Sequence, residues 1–462
     1  MDDVARDYVS MLSEGIQSCE RLVSTTLVSL LDPGILRTHE VAKQLTYCHL
    51  LNQTDCDTTT ADNKTPQFAV VIYNPASVAV TPYLRLPLST DNSAVLSVSG
   101  PGGARIESQI VPLAPHRHRI PESKGTAKSS LVFQVNVPPL GASIYHVRSP
   151  KVAPTKLRNF LEIHEQDNFI ENERYRVEME PGTGLVSAVV LRKPNTSVKL
   201  RQSFGAYAFG GASPDEARPP GHYVFSAYSE AREMGDHVTH RVVKGPVVQE
   251  IHQIFNDYIS QVVSLQKDSP FIEFTWTVGP LTKLMESTGW SRMSGCDVVS
   301  QFETNLSSSE FYTDEGRCTN TNYQFPSNYP ITSWIYIKDR TQGLQMMVLP
   351  DRAQGGSSLR SGQLELMVHR RHMTNDNLGV GDSLQEVGGD GAGLVVKGTH
   401  RLFLGSISEA RQLLRPQALQ LVYRPLLLFA PAGWKPVNER TSCLSRTLTV
   451  SLSDGFDCTE LE

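Results

Sequence analysis

From Gln67 onward the apolar residues come in short runs, each cut by Pro, Gly, Ser or Asn. That texture constrains the fold more than any other feature. Runs of this length with turn residues between them read as strands, and their regular spacing points to β-sandwiches. Phe68-Ala-Val-Val-Ile-Tyr-Asn-Pro75 is a strand that ends in turn chemistry, and Tyr83–Leu88, Ala94–Val98 and Ser130–Val137 follow it. A small domain closes near Tyr145-His-Val-Arg-Ser-Pro150, and residues 151–158 read as a linker. The pattern then resumes in Tyr175–Met179, Leu185–Leu191, Val262–Leu265, Phe271–Val278, Ile331–Lys338, Leu344–Leu349, Leu364–Val368 and His400–Leu404. Helical periodicity after Leu51 is confined to about Ser408–Leu414.

The first thirty residues differ. Val4, Tyr8, Leu12, Ile16, Cys19, Val23, Leu27 and Leu30 recur every three or four positions, which is one stripe of a helix. Asp2 or Asp3 caps its start and Asp32-Pro33-Gly34 stops it. A second helix is expected from a Thr38 cap to about Leu51, so the two form a hairpin that needs a further helix to bury both stripes. The expected class is mainly β, with three parts. Residues 1–60 are a helical-bundle remnant, 61–150 a small β-sandwich and 151–462 a large β-sandwich truncated at its end.

Composition sets outer limits. The 462 residues carry a net charge of −5 and a pI near 6.2, so no nucleic acid or anionic membrane is expected as partner. A membrane helix needs roughly 20 apolar residues. The best run, Leu421–Ala430, is broken by Arg424 and Pro425 and reads as a buried strand. Cys48-His-Leu-Leu-Asn-Gln-Thr-Asp-Cys56 brackets a glycosylation sequon at Asn52, and others stand at Asn63, Asn195 and Asn305. Such a segment belongs to an oxidising compartment, yet the chain opens without the apolar block of a signal peptide. The seven cysteines contain no Cys-x-x-Cys pair, which argues against structural zinc.

Most chemical motifs are missing or unselective. His39 and His49 lack ligand spacing, and His116-Arg-His-Arg119 reads as a solvated turn. No Gly-x-Ser-x-Gly elbow or phosphate-binding loop occurs. Carboxylate pairs such as Glu303 with Asp314, or Glu365 with Asp376, cannot be selected from sequence. The strand Gln363-Leu-Glu-Leu-Met-Val-His-Arg-Arg-His372 says more. Alternation puts Leu364, Leu366, Val368 and Arg370 on one face, so Arg370 ends a core-facing row. It either forms a structural ion pair or faces a polar ligand such as a sugar.

Residues 354–371, Gln-Gly-Gly-Ser-Ser-Leu-Arg-Ser-Gly-Gln-Leu-Glu-Leu-Met-Val-His-Arg-Arg, resemble the lysosomal type of α-mannosidase in glycoside hydrolase family 38. Asp3-Val-Ala-Arg-Asp-Tyr8, the strand Phe68–Pro75, Glu171-Asn-Glu-Arg-Tyr175, Pro246-Val-Val-Gln-Glu-Ile-His252 and Phe311-Tyr-Thr-Asp314 resemble the same family, so the likeness covers most of residues 3–405. The resemblance implies a retaining, zinc-dependent glycosidase acting on mannose-containing glycans in the lysosome. It implies a catalytic α/β domain, a helical bundle and then β domains, the last of galactose-mutarotase-like type. The nucleophile, the acid/base aspartate and the zinc ligands would lie upstream of Met1. The chain is therefore expected to be an amino-terminally truncated piece, inactive alone, with a separate catalytic-domain chain as a further partner. A non-enzymatic carbohydrate-binding or chain-association protein is the alternative.

The family also implies that Cys48 pairs with Cys56. It gives a sugar-binding tyrosine to Tyr223, in Pro220-Gly-His-Tyr-Val-Phe225, and a sugar-binding arginine to the strand end Arg370-Arg371, where strand parity favours Arg370 over Arg371. Two departures bear on pocket shape: Glu315-Gly-Arg-Cys318 replaces the family's continuation after Asp314, and Asp376-Asn-Leu-Gly379 lacks the family's arginine.

Overall fold

A computed structural model describes residues 2–31, 45–49, 55–60, 67–90, 95–116, 126–149, 162–164, 167–209, 219–225, 227, 230–235, 237–290, 293–319, 328–387, 391–431 and 440–442. The chain is mainly β, with antiparallel pairing in every sheet.

The helix Asp2–Leu31 is present, but its stripe divides. Leu27, Val28 and Leu31 are buried against Ala69, Val71, Ile144 and Leu428, whereas Val4, Tyr8, Leu12 and Ile16 are exposed. The second helix differs from expectation at its end. Residues 32–44 lie outside the described set, and Thr46–Tyr47 is a short strand paired with Phe429 and Leu428. Cys48 and Cys56 are joined by a disulfide.

The first sandwich packs a seven-stranded sheet on a three-stranded one. Strand Phe68–Asn74 is apolar at almost every position because both its faces are covered. Val70 and Ile72 enter the core between the sheets with Leu86, Ile110 and Phe133, while Ala69 and Val71 meet the helix. One neighbour of this strand is Gly141–Arg148. Its other neighbour is Leu426–Pro431, which lies between it and Thr46–Tyr47. Residues 440–442 also pair with Gly141–Arg148.

The boundary drawn at 151–462 is thus corrected at its far end: the chain leaves the large sandwich and completes the small one. The run Leu421–Ala430 is likewise not one strand. Helix Ile407–Val422 ends inside it, and the strand starts at Leu426. That helix extends well past the expected Ser408–Leu414. Its Ser406 cap accepts a hydrogen bond from the Glu409 N–H at 3.2 Å, and Ala410, Ala418 and Leu421 cover Phe271, Met347 and Phe403.

The large sandwich faces a nine-stranded sheet against a ten-stranded one. Strand alternation sends Val177, Val189, Phe274, Phe302, Leu364 and Leu402 into the shared core. Gly295–Thr304 lies between Thr196–Phe209 and Gln363–His372 in the nine-stranded sheet, which is where the candidate site forms.

Polar groups fix the two sandwiches together. The Gln109 side-chain oxygen accepts from the Val247 and Val248 N–H groups at 3.0 Å each, and its amide donates to the Val248 carbonyl at 3.0 Å. Arg85 of the first sandwich pairs with Glu250 of the second, and His252 Nε2 contacts the same carboxylate at 2.8 Å. Glu250 is fully buried. Burial opposes its ionisation, but Arg85 and His252 outweigh that and hold its pKa down to about 2. The folded pKa lies below the unfolded value near 4.5, so the stabilisation is complete above about pH 4.5 and is lost as pH falls toward 2. Urea unfolding across this range should show a steeper acid decline for the native chain than for Glu250→Gln. Equal slopes would remove Glu250 from the account.

Candidate functional site

Three neighbouring strands put polar side chains in register on the outer face of the nine-stranded sheet. Tyr207 lies opposite Asp297, which lies opposite Arg370. One row along, Phe209, Gly295 and His372 align, and farther back Ser203, Gln301 and Glu365 do so. Here the parity argument fails. The register slips between Val298 and Val299, which face His369 and Met367, so Val368 is an extra residue. A bulge of this kind reverses the side-chain alternation beyond it. Leu364, Leu366 and Val368 do enter core clusters, but Arg370 emerges on the opposite face, with Met367 and Glu365.

Arg370 forms the structural ion pair that its position allowed. Its Nε donates to Asp297 Oδ2 at 3.2 Å and its Nη2 to the Val224 carbonyl at 3.1 Å. The carboxylate partner is Asp297, across the strand pair, rather than the nearby Asp376. The other Asp297 oxygen accepts from His372 Nε2 at 2.7 Å, and both Asp297 and His372 are fully buried. Arg370 keeps 22% of its side chain exposed, and Nη1 has no protein acceptor among the described residues. One end of the guanidinium is therefore fixed while the other faces solvent. Behind it, the Tyr207 hydroxyl donates to Glu365 at 3.0 Å, and the Gln301 amide donates to the same carboxylate at 3.1 Å. Burial raises the Glu365 pKa despite both donors.

A loop seals this layer. Phe225 sets its ring edge-on to Tyr207 at 5.1 Å and to Phe209 at 6.0 Å. The Tyr223 N–H donates to the buried Asp376 carboxylate, and Thr374 Oγ1 donates to the Pro220 carbonyl at 3.2 Å. Asp376 is a deep acceptor. Burial works against its charge, but the N–H groups of Tyr223, Leu378 and Val224 prevail and its pKa is lowered. Gly221 is required by contact, since a Cβ there would stand 2.5 Å from the Asp376 nitrogen. With its backbone held, Tyr223 turns its side chain outward at 67% exposure. The loop thus carries an exposed phenol one residue from Val224, whose carbonyl accepts from Arg370.

Comparison with known proteins bears on what such a wall serves. Residues 170–378, which include every group just described, match the family model "Glycosyl hydrolases family 38 C-terminal domain", and residues 106–147 match "Lysosomal alpha-mannosidase-like, central domain". Residues 170–378 are a glycosyl hydrolase family 38 C-terminal domain. Among relatives in the family, lysosomal alpha-mannosidase of Felis catus is 34% identical over 95% of this chain, and that of Homo sapiens 31% over 94%. In both cases the chain spans only 42% of the relative's length. An alpha-mannosidase structure from Enterococcus faecalis superposes with a TM-score of 0.51 at 13% identity, over 84% of this chain and 48% of that one. At that identity it speaks for the fold alone.

Within the family 38 domain, Arg371 has different surroundings from Arg370. It lies opposite Cys296, on the inner side of the strand end. There a cavity of about 140 Å³ is lined by His369, Arg370, Arg371, Leu384, Glu386 and Leu394, among others, so both arginines border it. Burial lowers the Arg371 pKa and Glu386 partly offsets it. Arg370 thus borders this cavity and also reaches the Tyr223 loop through the Val224 carbonyl, whereas Arg371 makes no hydrogen bond or ion pair with that loop among the described residues.

The other candidates have structural partners. Glu303 pairs with Arg360 at 3.4 Å, and Asp314 accepts from the Thr332 N–H at 3.0 Å. Glu365 and Asp376 are engaged as above. His49 lies 3.6 Å from Glu20, and His39 and His118 fall outside the described residues. Asn195 and Asn305 are exposed, while Asn52 and Asn63 fall outside the described residues. Among the described residues no three His, Cys, Asp or Glu side chains converge to hold a metal, so these groups do not fit zinc. No described helix is long and apolar enough to cross a membrane.

Sequence reasoning missed Asp297 and His372. The available signal was Asp297 itself, a lone charge inside the apolar strand Cys296-Asp-Val-Val299, which demands a buried partner.

Proposed function

We propose that this chain is the C-terminal region of a retaining, zinc-dependent α-mannosidase that hydrolyses terminal α-mannosides of glycoprotein N-glycans in the lysosome. Its own contribution is one wall of the sugar pocket. The observation that carries this reading is an exposed Tyr223 in the loop whose next residue, Val224, accepts from Arg370, with loop and guanidinium both held by buried carboxylates. A phenol offers a sugar a flat apolar face and a hydroxyl. A guanidinium offers a planar fork of donors to its oxygens. Asp297 orients that fork before substrate arrives, which lowers the ordering cost of binding.

The attacking and acid/base carboxylates, and the zinc, would come from the part of the family that the match does not span, on this chain's longer form or on a separate catalytic-domain chain. Zinc bound there would orient sugar hydroxyls and the nucleophile, and two carboxylates would carry out the double displacement. Tyr223 and Arg370 bind and orient the sugar, and the sealed loop keeps water from the layer beneath. Alone, the chain does not turn over.

The test uses the purified chain with zinc salt and nitrophenyl α-mannoside. No hydrolysis above background is expected, and titration with mannobiose should give a Kd weaker than about 1 mM. Enzyme-like turnover would overturn the reading. Micromolar binding without turnover would favour a glycan-binding protein.

A further inference from the structure

The outer face of the ten-stranded sheet carries a polar trough where the two sandwiches meet. Alternation sends Phe274, Trp276 and His400 into the core, so Thr275, Thr277, Thr399 and Lys397 face outward. Thr275 lies opposite Thr399 and Thr277 opposite Lys397. The first sandwich approaches one side. The Pro115 carbonyl accepts from Ser260 at 3.2 Å, the Leu113 carbonyl accepts from Arg241 at 3.3 Å, and Arg85 reaches Glu250. Arg424, just past the helix Ile407–Val422, is close enough to repel Lys397.

The charges here do not balance. Three carboxylates stand near, and each already has an arginine: Glu250 with Arg85, Glu273 with Arg401 at 3.1 Å, and Asp351 with Arg352 at 3.0 Å. Arg241 is held by the Leu113 carbonyl and His252, so Lys397 and Arg424 remain. Among the described residues neither has a carboxylate partner, and the Lys397 ammonium has no hydrogen-bond acceptor. Arg424 donates only to the Leu421 carbonyl, at 3.1 Å. The hydroxyls of Thr275 and Thr399 also have no partner among the described residues. Burial, then Arg85 and Arg424, lower the Lys397 pKa to about 8, and Glu273 and Asp351 oppose this from too far away to pair. A partly buried cation without a counter-ion is costly. Lys397 shares its sheet face with two free hydroxyls, and the helix end that carries Arg424 packs on that face through Leu421, a combination that suits a doubly charged oxyanion.

We propose that this trough binds a phosphate or sulfate group, with Lys397 and Arg424 supplying the charge and Thr275 and Thr399 the hydroxyl donors. The site lies outside the Tyr223–Arg370 wall and does not depend on the α-mannosidase reading. The group is either a free anion or an ester carried on a sugar.

Calorimetric titration at pH 6, with sodium chloride at matched ionic strength as control, tests it with inorganic phosphate, sulfate and a hexose 6-phosphate. Saturable binding of phosphate is expected, weakened at least about tenfold in Lys397→Met and in Arg424→Met and unchanged in Lys283→Met. Thermal unfolding gives a second readout: phosphate should raise the Tm of the native chain and not that of K397M. Tighter binding of the hexose phosphate would identify an ester as the source, and equal binding a free anion. Either supports the site. Binding that K397M and R424M leave unchanged, or no saturation up to about 20 mM phosphate, would overturn it.

Discussion

Replacing Asp297 with alanine is expected to destabilise the large sandwich by about 3–5 kcal/mol, the usual cost of removing one partner from a buried charge pair. The figure is high for one side chain because Asp297 has two dependants. Its fully buried carboxylate accepts from Arg370 and from His372. After truncation, His372 keeps a buried ring whose Nε2 has lost its acceptor, and its Nδ1 already has no partner among the described residues. Arg370→Met should cost much less, since Arg370 is partly exposed and Asp297 retains His372. Urea midpoints of the two variants, taken with an unchanged m-value, measure the difference. A D297A midpoint within about 0.5 kcal/mol of native would show that the pair does not hold this layer.

Phe429→Ala is expected to cost about 3–5 kcal/mol, and the loss should fall on the first sandwich. Phe429 is fully buried in that sandwich's core and lies 6.1 Å from the Phe68 ring, although more than 350 residues of chain separate the two. Its strand is an inner member of the seven-stranded sheet, so weakening it also weakens its bonds to Phe68–Asn74 and to Thr46–Tyr47. Hydrogen exchange resolves the location. Protection should fall first in Phe68–Asn74 and Gly141–Arg148, with strands such as Ile272–Val278 less affected. Uniform protection across both sandwiches would contradict the assignment of Leu426–Pro431 to the first.

What was legible in the sequence follows from locality. The helix Asp2–Leu31 and strands Tyr175–Met179, Leu344–Pro350 and Gln363–His372 show in the spacing of their own apolar residues. Non-local pairing does not. Leu426–Pro431 looks like any buried strand, and nothing within it names Phe68–Asn74 as its partner. Thr46–Tyr47 sits where helical spacing continues, yet pairing with that returning strand decides its conformation. The bulge at Val368 is equally silent, and it reversed the face of Arg370. The parity that favoured Arg370 over Arg371 therefore placed it on the wrong face. Asp297 stood in plain view as a charge in an apolar strand, but its partners lie on another strand.

The most direct test of the sugar-wall account is complementation. A separately prepared catalytic portion of a family 38 α-mannosidase is assayed on nitrophenyl α-mannoside alone, with this chain, and with its Arg370→Met form. The account predicts that the native chain raises hydrolysis and that R370M, although folded and associated, loses at least about tenfold of the gain. An equal gain from both forms, or none from the native chain, would contradict it.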